Sequence, residues 1–353
     1  MRILFLCTDS YGGHGGIALY NRDLAGALSL VPGCEEVVVV PRIIVREPEP
    51  RPARVTFVAD AARGKVAYLR AARRALRQNF DLVICGHTNL LPLTYGGPRP
   101  LLMAYGIEAW KPLRDPLSNR MLRDLRGLIA ISRITCERFM SWSAFDGDAF
   151  LLPNAIRASD YGIRPKNPAL VARYGLAGKR VLLTLGRIVA EERYKGFDEV
   201  LEVLPELAIE HPDLVYMIAG GGSDRERLER KARALGVAHR VIFTGFVAEA
   251  EKPDLYSLAD LYVMPSRGEG FGFVFLEAMA SGVPVIASRL DGGREAVLNG
   301  ELGTLVDPSN PADLRIAIRD VLARGERRVP EGLSYFSFEN FAGRVQEIVA
   351  AVR

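Results

Sequence analysis

Short apolar runs alternate with segments of helical periodicity along the whole 353-residue chain. This alternation is typical of parallel β-sheets covered by helices, because a buried strand is apolar on both faces whereas a covering helix is apolar along one stripe. The runs predict seven strands, near residues 3–7, 37–40, 55–58, 82–85, 101–105, 128–131 and 150–152, and then six more, near 181–185, 215–219, 241–243, 261–264, 285–287 and 304–306. The sequence therefore predicts an α/β protein with two sheets.

The stretch between the two series of strands, Pro153 to Pro168, is polar, contains proline and has no periodicity. Such a stretch is typical of a linker or hinge. We therefore predict two Rossmann-like domains facing across a cleft, with the ligand bound where the carboxyl ends of the strands meet. In this arrangement the ligand-binding and catalytic residues are expected in the loops that follow the strands.

Composition excludes several classes of protein. With 49% apolar and 25% charged residues, the chain is neither disordered nor fibrous. No apolar run reaches the roughly 20 residues that cross a membrane, and the start lacks the layout of a signal peptide, so the cytoplasm is the expected compartment. Four scattered cysteines without a C-x-x-C pair favour neither a zinc site nor a disulfide framework. We expect no nucleic-acid partner.

Basic charge is concentrated in the first half of the chain. Residues 1–165 carry 22 lysines and arginines against 15 acidic residues, whereas residues 166–353 carry 24 against 27. Much of this charge falls in residues 63–77, where a predicted helix carries four arginines. Such a helix indicates either a peripheral contact with anionic lipid or an arginine-rich face in solvent.

The stretch from Met264 to Arg294 says most about function. Glu269 and Glu277 bracket a glycine-rich turn that enters a predicted helix. A helix start preceded by glycines suits a phosphate, and two carboxylates beside it suit hydroxyl groups. The alternative is a simple connecting turn, since acids near a helix start are favoured by the helix dipole alone. The length of the pattern favours a site for a phosphorylated sugar.

Two further loops carry charged or titratable candidates. Arg187 and Lys195 follow the strand at 181–185, and together they are suited to clamp a diphosphate. His87 lies just past the strand at 82–85. A lone histidine is more often structural than catalytic, but this position ranks His87 above the other three histidines as a functional candidate.

Two other patterns are weaker. Gly13 to Ala18 fits the loose dinucleotide fingerprint, but the next strand ends in Pro41 and Arg42 where that fingerprint needs an acid. Asp146-Gly147-Asp148 precedes a strand instead of following one, so we interpret it as a turn, and no metal is implied.

Seven segments, taken in order, resemble a known family over nearly the whole chain. They are GGHGGIALYNRDLAGAL, FDLVICGHTNLLPL, LLPNAI, GRIVAEERYKGFDEVL, YMIAGGGSDRERLE, VIFTGFV and the stretch around Glu269 and Glu277. This order resembles the retaining, GT-B-fold nucleotide-sugar glycosyltransferases of family 4, also described as glycosyl transferases group 1. The resemblance implies an acceptor-side domain of residues 1–160 plus 335–353, and a donor domain of residues 166–334.

The resemblance also implies a role for each candidate residue. Arg187 and Lys195 would hold the donor diphosphate, Glu277 the ribose and Glu269 the transferred sugar, with His87 beside that sugar. The remaining donor-binding positions would be Gly15, Gly16, Val247, Gly270, Phe271, Gly272 and Phe273, and the acceptor-side positions Asn89, Tyr105 and Glu108.

The resulting hypothesis is a retaining, metal-independent hexosyltransferase. It would move a hexose from a UDP- or GDP-sugar to a glycan or lipid-linked glycan in bacterial polysaccharide assembly, in the cytoplasm or at the inner face of the plasma membrane. No cofactor is expected beyond the nucleoside diphosphate sugar, which is the donor substrate. The alternatives are an NAD(P)-dependent oxidoreductase using residues 13–18, a sugar-nucleotide epimerase, and a non-catalytic sugar-nucleotide-binding protein.

Overall fold

The computed structural model describes all 353 residues as two compact units. The N-terminal unit comprises Met1–Ala155 and Phe336–Arg353, and the C-terminal unit comprises Ile156–Tyr335. The helices are α1 Gly16–Ser29, α2 Lys65–Leu76, α3 Pro116–Met121, α4 Arg133–Trp142, α5 Pro168–Tyr174, α6 Phe197–Glu210, α7 Arg225–Ala234, α8 Lys252–Leu258, α9 Phe273–Ala280, α10 Gly293–Ala296, α11 Pro311–Arg324 and α12 Phe338–Ala351. None of them is both long enough and apolar enough to span a membrane.

The N-terminal unit is built on a seven-stranded parallel sheet. Its strands are β1 Arg2–Cys7, β2 Glu36–Pro41, β3 Val55–Phe57, β4 Leu82–Cys85, β5 Leu101–Ala104, β6 Gly127–Ala130 and β7 Ala149–Leu151. They lie in the order β3-β2-β1-β4-β5-β6-β7, so the order reverses between β1 and β4. The loops after β1 and β4 therefore lie side by side at the switch point of the sheet.

Burial explains why these segments form strands. The central strands are covered on both faces, and apolar residues such as Val37 to Val40 are the types that pack best on a pleated, buried surface. Helix α12, from the C-terminal part of the sequence, also belongs to this unit. The fully buried Phe341 meets Tyr20 of α1 edge to face, with ring centroids 5.6 Å apart.

The C-terminal unit is built on a six-stranded parallel sheet. Its strands are β8 Arg180–Leu185, β9 Leu214–Ala219, β10 Val241–Gly245, β11 Leu261–Met264, β12 Val285–Ser288 and β13 Thr304–Val306. They lie in the order β10-β9-β8-β11-β12-β13, with β8 and β11 paired in parallel. This pairing brings the loops after β8 and β11 to the same place, although the strands are far apart in the chain.

Each of the thirteen predicted strands is present, most with bounds shifted by a residue or two. Cys7 and Cys85 are buried in strands, and Asp146-Gly147-Asp148 lies in an irregular stretch before β7. The predicted helix at 63–77 is shorter in the structure, because Gly64, with φ of +140°, separates a short 3-10 helix from α2. The predicted fold class, α/β with two Rossmann-like domains, is confirmed.

Candidate active site

The loop between β8 and α6 carries two cations and a buried carboxylate. Arg187 projects from it with 79% of its side chain exposed and is ion-paired with Glu192, of which only 8% is exposed. Lys195 closes the loop, with its Nζ 3.6 Å from Glu192 Oε2. Gly196 then begins α6 from a left-handed conformation, φ of +86°, that favours glycine.

Lys195 also contacts Glu269 in the loop after β11. Lys195 Nζ donates to Glu269 Oε2 at 3.2 Å, and 14% of the lysine side chain is exposed. Burial alone would lower the pKa of Lys195, but the negative charges of Glu269 and Glu192 hold it above its ordinary value. The ammonium is therefore fully charged at neutral pH. We call Arg187, Glu192, Lys195 and Glu269 the charged cluster.

The glycine-rich turn is held by a buried acid on the next loop. Asp291 Oδ2 accepts from Glu269 N at 2.8 Å, and Asp291 Oδ1 accepts from Gly293 N at 3.0 Å. Gly292 N donates to Glu269 O at 2.9 Å. A β-carbon on Gly292 would lie 2.0 Å from Gly270 O, so only glycine permits this approach. Burial is the main reason that the pKa of Asp291 rises to about 6.

Asp291 was not among the predicted site residues. The sequence does contain a signal for it, an acid in the loop after a buried strand and directly before two glycines. That signal alone does not reveal a bridge to Glu269, because the bridge joins residues 22 positions apart on different loops.

Helix α9 begins at Phe273, after Gly272, whose φ of +95° ends the glycine-rich turn. Phe271 and Phe273 are both buried, and Gly270 and Gly272 are buried with them. The helix start therefore lies at the predicted position, with the backbone of residues 270–273 forming the turn into it.

Glu277, the second acid of the stretch, is fully buried on α9 and is separate from the charged cluster. Its Oε1 accepts from Lys252 Nζ at 2.9 Å, and its Oε2 accepts from Tyr256 OH at 2.7 Å. Lys252 Nζ also lies 2.8 Å from Glu249 Oε2. Val247, half-buried, is in the same loop after β10. Glu249 and Lys252 thus join Glu277 to the loop of Val247, one of the predicted donor-binding positions.

His87 begins a short 3-10 helix after β4. Its Nδ1 accepts from Asn89 N at 3.0 Å, so in the neutral imidazole the proton resides on Nε2. Burial, assisted by the positive charge of Arg42, lowers the pKa of His87. At neutral pH His87 is therefore a neutral ring with an N–H donor.

The glycine loop before α1 owes its shape to crowding at one position and to backbone conformation at another. A β-carbon on Gly13 would lie 2.7 Å from Asp9 Oδ2, so this position needs glycine for space. Gly15 adopts a φ of +84° with no heavy atom within 4 Å of a β-carbon, so it needs glycine only for conformation. Gly16 is the first residue of α1 and is exposed.

Tyr105 and Glu108 hold the loop after β5. Glu108 Oε1 accepts from the backbone N–H groups of Tyr105, at 2.6 Å, and Gly106, at 3.1 Å, and burial raises the pKa of its carboxyl. Tyr105 is buried and its hydroxyl donates to Asn21 Oδ1 at 2.6 Å. Their predicted contact with an acceptor stays a prediction. In the structure Glu108 holds the loop, and Tyr105 joins the loop to α1.

Arg187, Lys195 and Glu269, which were predicted to bind the donor diphosphate and sugar, thus lie together within the C-terminal unit, and their contact with a donor stays a prediction. His87, Asn89, Tyr105 and Glu108 belong to the N-terminal unit, as do Gly15 and Gly16. No group of three or more histidine, cysteine or acidic side chains converges to hold a metal ion.

Comparison with known proteins places this chain in a family. Residues 170–330 match the family model described as glycosyl transferases group 1. The GDP-mannose-dependent alpha-(1-6)-phosphatidylinositol monomannoside mannosyltransferase of Mycolicibacterium smegmatis is 35% identical over 71% of this chain and 68% of its own length. The Mycobacterium tuberculosis enzyme of the same name is 34% identical over 67% of this chain and 64% of its own length.

A solved structure resembles the whole chain. Anabaena HepE in complex with UDP is 20% identical and superposes with a TM-score of 0.77 over 99% of this chain and all of the other. This likeness confirms the predicted GT-B fold class. The alignments with the two mannosyltransferases span about two thirds of those proteins. By sequence, the chain belongs to the glycosyl transferases group 1 family.

Proposed function

We propose that this glycosyltransferase moves a hexose, with retention, from a GDP-sugar to a hydroxyl of a glycan or lipid-linked glycan. The observation that carries the proposal is the meeting of Lys195 and Glu269 at 3.2 Å, beside Arg187 and the start of α9. Cations and a helix start suit the diphosphate, and a carboxylate suits the sugar hydroxyls. GDP-mannose is the first donor to test, because the two mannosyltransferase relatives are named as dependent on it.

In this proposal the enzyme lowers the activation barrier of sugar transfer mainly by stabilising the departing diphosphate. Lys195 and Arg187 neutralise the charge that grows on the phosphate oxygen as its bond to the anomeric carbon breaks. The acceptor oxygen bonds to that carbon on the same face, and its proton passes to the departing phosphate oxygen. Glu269, ion-paired with Lys195, binds hydroxyls and is not the nucleophile. His87 contributes a neutral Nε2–H donor on the sugar side.

The loop after β10 supports guanine over uracil as the base. Guanine presents two adjacent N–H donors on its pairing edge, a pattern that one carboxylate can accept and that uracil lacks. Glu249 supplies such a carboxylate, with 40% of its side chain exposed, and Lys252 lies between it and Glu277. Glu277, which was predicted to hold the ribose, is fully buried with Lys252 on one oxygen, whereas Glu249 is exposed enough to read the base.

The acceptor side is proposed to include a membrane surface. One face of α2 packs Tyr68, Ala72 and Ala75 into the N-terminal unit. On the other face, Val66 is 59% exposed and Leu69 is 37% exposed. Four exposed arginines accompany them, Arg70, Arg73, Arg74 and Arg77. Apolar side chains among arginines suit the headgroup region of an anionic bilayer.

The donor proposal is tested by thermal unfolding with GDP, UDP and their sugars, followed by transfer assays. GDP and GDP-mannose should raise the unfolding temperature more than UDP and UDP-glucose, because a ligand present at about 100 times its Kd adds about 2.7 kcal/mol to stability. Glu249→Gln should reduce the preference for GDP, whereas Glu210→Gln, an exposed acid at the end of α6, should not.

Three results would separate the alternatives. Stabilisation by UDP alone would assign a UDP-sugar donor. Nucleotide binding without release of nucleoside diphosphate, whatever acceptor is offered, would indicate a non-catalytic binding protein. Inversion at the anomeric carbon of the product would refute retention.

The membrane proposal is tested with vesicles of phosphatidylcholine alone and with added phosphatidylinositol. The protein should bind only the anionic vesicles and should dissociate at high salt, because the Debye length falls to about 3 Å at 1 M ionic strength. The double variant Arg70→Gln and Arg73→Gln should bind more weakly. Its matched control, Arg230→Gln and Arg233→Gln on α7, removes the same charge from exposed sites elsewhere. Equal binding by the two variants would refute the role of α2.

A further inference from the structure

The charged cluster contains one more carboxylate than donor binding requires. Glu192 has 8% of its side chain exposed, with Arg187 on one oxygen and Lys195 Nζ 3.6 Å from the other. That second oxygen, Oε2, is buried and accepts no hydrogen bond. With Glu269 also present, two positive charges are matched by two negative ones. The cluster is therefore close to neutral, although its proposed ligand is an anion.

The fold keeps Glu192 in this position. Its backbone, with φ of −117° and ψ of 25°, breaks the helical geometry of the short 3-10 helix at 190–195 and turns the residue inward. The next residue, Arg193, makes a double hydrogen bond to Asp224, at 2.9 and 2.6 Å. Asp224 in turn donates its backbone N–H to Ile188 O at 2.9 Å. With both ends of the loop tied, Glu192 remains between the two cations.

Two electrostatic effects follow from one buried charge. Glu192 attracts Arg187 and Lys195 and so gathers them into one site. It also repels a phosphate at that site, and its burial leaves the repulsion poorly screened by solvent. The attraction assembles the clamp and the repulsion limits how tightly it holds the ligand.

We infer that Glu192 is a positioning residue that assembles Arg187 and Lys195 while weakening their hold on the nucleoside diphosphate product, so that the product leaves readily. The inference rests on the proposed function, because it takes Arg187 and Lys195 as the diphosphate ligands. Glu192 acts through these two cations and needs no contact with the substrate.

Calorimetric titration of Glu192→Gln with GDP, UDP and GMP tests the inference. Glutamine keeps the length of the side chain and an oxygen that accepts from Arg187, but it removes the charge. GDP should bind about tenfold more tightly than to the wild type, since one full charge is removed a few ångströms from the phosphates. GMP, with one phosphate fewer, should gain less, so the ratio of the two Kd values should rise. Inhibition of transfer by product GDP should strengthen in parallel.

Glu191→Gln is the matched control, since Glu191 precedes Glu192 in the same loop but is exposed. It should bind GDP and GMP as the wild type does. Glu192→Asp, which keeps the charge, should not bind GDP more tightly. Should Glu192→Gln fail to fold, as judged by thermal unfolding, Glu192→Asn provides a second neutral side chain with an oxygen that can accept from Arg187, and it is compared with Glu192→Asp, which has the same length.

The outcomes distinguish a failure of the inference from a failure of the proposed function. In one outcome the wild type binds GDP or UDP while neither neutral variant binds it more tightly than Glu191→Gln does. That result overturns the inference and leaves the proposed function standing. Equal gains for GMP and GDP also overturn it, because they would indicate a change away from the diphosphate. A wild type that binds neither GDP nor UDP overturns both the inference and the proposed function.

Discussion

Lys195 is the residue on which the charge balance of the site depends. It lies between Glu269, at 3.2 Å, and Glu192, at 3.6 Å, and little of it is exposed. Lys195→Met should lower kcat/KM by about 100-fold or more through loss of leaving-group stabilisation. It should also cost about 3 kcal/mol of unfolding free energy, because two poorly solvated carboxylates lose their partner. Initial rates and urea unfolding measure the two effects.

A double variant separates the two roles of Lys195. Lys195→Met with Glu269→Gln removes both charges of the pair and should recover most of the lost stability without recovering activity. Recovery of kcat/KM together with stability would mean that Lys195 serves only the fold. Wild-type kcat/KM in the single variant would remove Lys195 from the active site.

Asp291 should give the protein a specific dependence of stability on pH. Its folded-state pKa of about 6 lies above the ordinary value of 3.8, so the folded state binds this proton more tightly than the unfolded state does. The stabilisation is complete below the unfolded pKa and is lost as the pH rises through about 6. Relative to Asp291→Asn, the wild type should lose about 1 kcal/mol between about pH 5 and about pH 7.

Urea unfolding of the wild type and of Asp291→Asn at the two pH values measures this difference, since the other carboxylates are common to both proteins. Asparagine can accept only one of the two backbone hydrogen bonds, so the variant should be less stable at both. A difference that is constant with pH, or that grows as the pH rises, would contradict a raised pKa for Asp291.

At the scale of elements, the site depends on how closely α6 begins beside the loop after β11. Gly196 has φ of +86°, and a β-carbon there would lie 2.6 Å from Pro265 O. Gly196→Ala should cost about 1 kcal/mol for the left-handed backbone and about 2 kcal/mol more for the clash. The displacement should also separate Lys195 from Glu269 and lower kcat/KM by about tenfold or more.

Gly325 provides the control for that prediction. It ends α11 with φ of +61°, and a β-carbon there would meet no atom within 4 Å. Gly325→Ala should therefore show only the backbone cost and normal activity, as measured by thermal unfolding and initial rates. Equal effects of the two alanines on kcat/KM would mean that the approach to Pro265 does not shape the site.

The strands could be predicted because their residue types and burial agree. A run such as Val37 to Val40 has no other stable place than the middle of a sheet. The sequence also predicted that the loops of Lys195 and Glu269, 74 residues apart, lie at one edge of a sheet, because parallel strands end at the same edge. That β8 and β11 are neighbours, and so bring the two side chains into contact, could not be predicted.

Side-chain partners could not be predicted in the same way. Glu191 and Glu192 are the same residue type at neighbouring positions, and only the backbone kink at 192 decides which of them is buried. The resemblance puts Tyr105 on the acceptor side, which stays a prediction. The contact of its hydroxyl with Asn21, 84 residues away, had no signal in the sequence. Such contacts depend on how separate elements pack, which no local pattern records.

At the scale of the whole molecule, each unit has its own core, and the N-terminal unit is closed by the end of the chain. Phe341 of α12 is fully buried against Tyr20, whereas Leu204 of α6 is fully buried in the C-terminal unit. Phe341→Ala should cost about 3–5 kcal/mol and Leu204→Ala about 2–5 kcal/mol, through the lost contacts and the cavities left behind.

Hydrogen exchange, measured peptide by peptide, shows which unit loses stability in each variant. Phe341→Ala should speed amide exchange in the strands of residues 1–155 and leave those of 156–335 protected, because a local opening releases only the core that was weakened. Leu204→Ala should do the reverse, and GDP should slow exchange in residues 156–335 of either variant. Faster exchange throughout the chain in both variants would mean that the two cores unfold as one cooperative unit. The two units would then not differ in their stability toward local opening.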